Sequence, residues 1–296
     1  MNYLRASISF IQMFACCGLA FQARAAELLL REITPFPITL EAPQFPDQLP
    51  HSRVSRAEGA LSTAWLAGAT DRYRHGVLGD ALEASRLMAQ PRAGKPLRVD
   101  LPANRVFEDL HARIVDMGEG DRDQILLVES DLALGASAAI YGVVAGNLAR
   151  RAATPFIGQS GRWLNPLGVG DFDGDGKPDV ALVITPHIGG ILRLYRLENG
   201  TLRQFAERTG VSTHRLGSTE LGMGRVVSNA GRDWLLLPVD GQRALILLEW
   251  SNGQWNELAR ATLASRMSSS LYPAGLDQWR FKTEDGRFAQ IQLIRR

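Results

Sequence analysis

Two landmarks recur along this chain at one spacing, and no other feature limits its fold as much. In the first, Gly168, Val169, Gly170 and Asp171 lead through a polar loop to Asp179 and the apolar run 180–184. About 55 residues earlier, Ile114, Val115 and Asp116 lead through Gly118 and Gly120 to Asp123 and the run 125–128. About 54 residues later, Gly222, Met223, Gly224 and Arg225 lead to Asp233 and the run 234–237. The second landmark is a pair of apolar segments around a short turn. It falls at 140–148, 194–202 and 248–255, with Asn199-Gly200 and Asn252-Gly253 as the turns in the last two. Asn and Gly tolerate the positive φ that a tight hairpin turn demands.

Each unit therefore predicts about four short strands. A sheet of four cannot cover both of its faces alone, and radial stacking of such sheets covers them. The expected fold is all-β: a β-propeller of about five four-stranded blades over residues 26–296, six being the alternative count, with irregular first and last blades. Residues 73–89 read as a shortened first blade, with Gly79 and Asp80 in the place of Val115 and Asp116. Residues 279–288 read as a last hairpin turning at Asp285 and Gly286, and 28–33 as a strand that joins this last unit. The stretch 35–50 holds five prolines and reads as an irregular connector. The alanine-rich stretch 58–69 fits a helical turn or an outer strand. Trp163, Trp234, Trp250, Trp255 and Trp279 recur beside strands and are expected in the core.

The first 25 residues stand apart. Arg5, an apolar stretch over 8–21 and Ala23-Arg24-Ala25 have the order of a secretory signal peptide with its cleavage site. The protein is thus expected to be exported, to the periplasm or the cell exterior, with an uncleaved N-terminal anchor as the alternative. Removing this segment removes Arg5 and Arg24, so basic and acidic residues balance, although the whole chain has a pI near 8.7. A balanced charge gives no electrostatic basis for nucleic-acid binding. Cys16 and Cys17 leave with the segment, and no later apolar run is long enough to span a bilayer.

Asp171, Asp173, Asp175 and Asp179 occupy positions 1, 3, 5 and 9 of one loop, and the carbonyl of Lys177 fills position 7. Alternate residues of a tightly wound loop point inward, so the spacing converges hard oxygens on one point, as calcium requires. Gly174 and Gly176 permit the curl. Four crowded carboxylates also repel one another without a cation. One Ca2+ site is expected, with Mg2+ less favoured because it demands a stiffer octahedron. The loop differs from an EF-hand: Leu182 stands where that motif has its closing Glu, so Asp179 must close the site.

Residues 168–182 resemble the FG-GAP/VCBS repeat of integrin-α-like propellers. The resemblance implies a propeller with calcium held in a blade hairpin by the acids at 171, 173, 175 and 179 and the carbonyl at 177. It also implies a role in adhesion, ligand binding or scaffolding. In the later copy Arg225 is read in the place of the first acid, and Val227 and Asn229 replace acids, so no ion is expected there. The earlier loop, with Asp116, Glu119, Asp121 and Asp123, is one residue short and is at best a weak second site.

Catalytic signatures are lacking. Gly158-Gln159-Ser160-Gly161 is followed by Arg162 where a nucleophile elbow needs glycine. The histidines His51, His75, His111, His187 and His214 form no zinc-type spacing; His75, His111 and His214 fall near successive unit starts and read as structural, or else as lining one end of a central channel. The expected function is a non-enzymatic, calcium-binding binding or scaffold module for an unknown protein or glycan ligand. The alternatives are a propeller hydrolase or lyase acting on envelope glycans or lipids, and an envelope assembly protein.

Overall fold

The computed structural model describes residues 26–38, 42–118 and 123–296. The expected signal peptide lies outside them. Among the described residues the chain forms strands and no helix. After β1 (Ala26–Ile33), a first antiparallel meander comprises β2 (Ser55–Arg56), β3 (Leu61–Thr70), β4 (Glu83–Pro91) and β5 (Leu97–Asp100). The short β6 (Arg105–Phe107) follows. A second meander comprises β7 (Arg113–Asp116), β8 (Asp123–Asp131), β9 (Gly135–Val144) and β10 (Asn147–Ala153). Because β6 pairs with both β4 and β8, these two meanders share one nine-stranded sheet.

The next two units are separate four-stranded sheets. One contains β11 (Leu164–Gly170), β12 (Asp179–Ile184), β13 (Ile191–Glu198) and β14 (Thr201–Thr209). The other contains β15 (Arg225–Val227), β16 (Trp234–Val239), β17 (Ala244–Ser251) and β18 (Gln254–Thr262). The last sheet takes β19 (Tyr272–Gly275), β20 (Gln278–Lys282) and β21 (Phe288–Arg295) from the C-terminus. Its fourth strand is β1, paired in register from Ala26 opposite Arg295 to Ile33 opposite Phe288. The expected joining of 28–33 to the last unit is thus observed.

Turn chemistry fixes the hairpins. Ala145-Gly146, Asn199-Gly200 and Asn252-Gly253 all have positive φ at both residues, the geometry whose twist matches the flanking strands. The last hairpin turns at Thr283, Asp285 and Gly286, as expected, with Thr283 N–H bonded to the Arg287 carbonyl. Strands β8, β12 and β16 are buried on both faces, which explains their unbroken apolar runs. One apolar core joins the first three meanders, a second joins the third and fourth, and a third joins the fourth meander to the last sheet. Trp163 and Trp234 are buried in these interfaces, and Trp250, Trp255 and Trp279 pack against them partly exposed.

Three expectations change. The first unit does not begin at residue 73. It begins at β2, and the alanine-rich stretch becomes β3, so 73–82 is the connection between β3 and β4 and carries Gly79 and Asp80. Alanine neither favours strands nor shows a clear apolar alternation, so the local pattern concealed this strand. Arg225 does not occupy the place of the first loop acid. Val227 lies opposite Trp234, as Val169 lies opposite Val180, so Asn229 is the counterpart of Asp171 and the fourth turn is four residues shorter. Arg225 instead opens β15. The connector 35–50 lacks strands among its described residues, but it is not loose: Phe36 packs edge-on against Tyr272 and Phe288, and Phe45 stacks on Trp65.

Candidate metal centre

The loop between β11 and β12 is anchored from below. Phe172, 1% exposed, drops into the core between the third and fourth meanders. Gly174 and Gly176 take φ of 81° and 80°. A Cβ at Gly174 would also sit 2.9 Å from Arg232 Nε and 3.0 Å from the Gly231 carbonyl oxygen, so glycine is required by close approach as well as by conformation.

The curl brings Asp171, Asp173 and Asp179 together, each offering an oxygen within 4.8 Å of the others. Oxygens on opposite sides of one calcium ion lie about 5 Å apart, given bonds of about 2.3–2.6 Å, so the cluster has the right size. Asp171 Oδ1 and Oδ2 accept the Gly174 and Gly176 N–H groups, which fixes that carboxylate facing the loop interior. Asp173 Oδ1 accepts the Asp175 N–H, and its Oδ2 accepts Arg196 Nη2 at 2.6 Å. Asp175 stands outside the trio; its Oδ1 accepts the Lys177 N–H at 2.8 Å. Both Asp175 and Lys177 are exposed.

Asp179 is the telling member. It is 2% exposed, and its Oδ2 has no hydrogen-bond partner among the described residues. Burial first, then the neighbouring Asp173 carboxylate, push its pKa up to about 7, against the opposing pull of Arg196. A buried carboxyl with a free oxygen aimed among other carboxylates is costly unless a cation completes it. Asp171, Asp173 and Asp179 can therefore hold a metal ion through their carboxylates.

The equivalent acid does a different job in the flanking units. Asp123 Oδ2 accepts the Leu61 N–H of the first meander at 2.7 Å. Asp233 Oδ2 accepts the Asp171 N–H of the third at 3.0 Å, while its Oδ1 accepts the Asn229 N–H. In both places the acid that opens the second strand fastens its unit to the unit before it. This staple was missed from the sequence, where the recurring Asp was the only signal. Asp116 Oδ1 accepts the Gly118 N–H, so Asp116 and Asp123 are engaged separately. Glu119 and Asp121 of that loop lie outside the described residues.

Elsewhere, His75 Nδ1 lies 2.5 Å from Glu108 Oε1, and Ser130 donates to Glu108 Oε2. Ser130 is buried, and its hydroxyl meets the Glu108 carboxylate rather than the imidazole. His187 and His214 meet edge-on at 5.9 Å, and His214 leans on Trp163. Burial lowers the pKa of both, that of His214 to about 4, as for packing histidines. His51 is exposed. No family model matches the chain, and no curated protein matches it.

Proposed function

We propose that the chain is a five-bladed β-propeller whose third blade is stapled by one calcium ion, exported and acting as a non-enzymatic binding or scaffold module for a protein or glycan. The observation that carries this reading is the Asp171–Asp173–Asp179 cluster with its unpartnered Asp179 oxygen. The five successive meanders support the propeller, the last of them completed by β1. In a ring this shared sheet joins the two ends of the chain. The export assignment rests on residues 1–25. A groove of about 1000 Å³ between the end of β10 and the β13–β14 hairpin offers a recognition surface, where Phe156 and Tyr195 stand beside Arg162 and Arg193. Aromatic and charged groups mixed in one concave surface suit a glycan or peptide.

Calcium bound only to the folded state raises its stability by about 2.7 kcal/mol at a hundredfold excess over Kd. Thermal melts of the mature protein in calcium and in EDTA are expected to differ by several degrees. Asp179→Asn, which keeps the shape and removes the buried charge, is expected to melt in EDTA at least as high as the parent and to lose the calcium response. A variant that falls well below the parent in EDTA would show that Asp179 holds the loop without metal, and the stapled-blade reading would fail.

A further inference from the structure

A second charged centre lies where the first strands of the units approach one another. There Arg53 precedes β2, Arg113 opens β7 and Arg225 opens β15, and all three line one cavity of about 80 Å³ together with His111. The main chain holds them in place: Arg53 and His111 form a parallel bridge, and Arg225 Nε and Nη2 both donate to the Leu271 carbonyl at the start of the last sheet. Three sequence-distant units thus contribute one guanidinium each.

The charges do not balance. Asp109 is buried and takes Arg113 Nη1 at 2.7 Å, while also accepting the Val128 N–H. Glu220 accepts the Ser270 N–H and the Tyr272 hydroxyl, and no guanidinium reaches it within ion-pair distance. Among the described residues Arg53 has no side-chain hydrogen bond or ion pair, and the Arg113 side chain is only 11% exposed. Burial and the three arginines hold the His111 pKa down to about 3, so the imidazole sits neutral in a positive field. Burial, then Arg53, likewise lowers Arg225. Asp109 offsets only Arg113, so positive charge is in surplus here, and the planar forks of guanidinium groups match the oxygens of an oxyanion.

We propose that this cavity binds a compact inorganic oxyanion of phosphate or sulfate shape, held by Arg53, Arg113 and Arg225. The volume admits one such ion or a few waters. The ion would neutralise the surplus charge and tie three units together at the centre. It would be a second, anionic fastening beside the cationic one in the third meander.

The test is titration of the full mature chain with inorganic phosphate and with sulfate at constant ionic strength, so that screening stays fixed. Melting temperature and the His111 imidazole resonances are followed together. Saturable binding is expected, with the His111 resonances shifting along the same curve and acetate competing weakly. Arg53→Gln, at a side chain that carries no structural bond, is expected to keep the fold and weaken phosphate at least tenfold. Arg203→Gln, on the outer surface, should leave the affinity unchanged. A response that does not saturate, that leaves His111 unmoved, or that is the same in Arg53→Gln would overturn the proposal.

Discussion

A chain beginning at Thr34, and so lacking β1, is expected to lose most of its cooperative unfolding transition. β1 supplies a full ladder to β21 and places Ala26 and Leu28 in the core shared with the fourth meander. Burial of a leucine alone is worth about 1.5–3 kcal/mol, and each ladder bond adds about 1 kcal/mol net. Their sum is comparable with the whole stability of a typical domain, about 5–15 kcal/mol. The loss would also leave β21 as a bare edge, ready to pair with other chains. The shortened chain is thus expected to aggregate or to melt at least ten degrees lower, roughly, by the usual conversion of free energy to melting temperature. A synthetic peptide of residues 26–33 should recover part of the loss. A shortened chain that melts with the parent would mean that β1 is a passive appendage.

The second large effect concerns Glu83. This residue opens β4, is 1% exposed, and neither of its carboxyl oxygens has a hydrogen-bond partner among the described residues. Burial, reinforced by Glu108, pushes its pKa up to about 10. The folded state therefore keeps a proton that the unfolded chain releases above its ordinary pKa of 4.5. Below 4.5 both states are protonated and the group costs nothing through linkage. Between 4.5 and about 10 the folded protein loses stability relative to the unfolded chain as pH rises, by up to about 1.4 kcal/mol per pH unit. Glu83→Met removes the titrating group and fills its volume with an apolar chain. The variant is expected to gain about 2–4 kcal/mol over the parent at pH 8 and much less at pH 5. Denaturant unfolding at both values checks this. Equal differences at the two pH values would show that Glu83 is ionised in the fold.

Much of the architecture was legible because turns are encoded locally. Asn199-Gly200 and Asn252-Gly253 announce their hairpins, and the spacing of those hairpins reveals the repeat. The long apolar runs announced β8, β12 and β16. The acidic loop was legible for the same reason, since a curl with inward oxygens needs only neighbouring residues. Other features depend on distant partners. β3 is hidden in an alanine-rich stretch, where Ala64 enters the first core and Ala67 packs with Trp65 and Phe45 of the connector. Arg225 was misaligned because the fourth turn lost four residues, a change visible only once Val227 is seen opposite Trp234. The Asp123 and Asp233 staples join atoms about 62 residues apart. The three arginines come from three units, and although each precedes an apolar residue (Arg53-Val54, Arg113-Ile114, Arg225-Val226), their convergence on one cavity depends on how the units pack. Asp175 and Lys177 fit the spacing rule, yet Asp175 caps the turn beside the trio rather than joining it.

The most direct test of the metal-stapled blade is calorimetric titration of calcium into EDTA-treated, desalted mature protein, run beside Asp179→Asn. One ion per chain is expected for the parent, with a weaker response to magnesium and no binding heat for the variant. Absence of saturable binding in the parent, or an unchanged isotherm in Asp179→Asn, would contradict it and leave the Asp171–Asp179 loop as a turn alone.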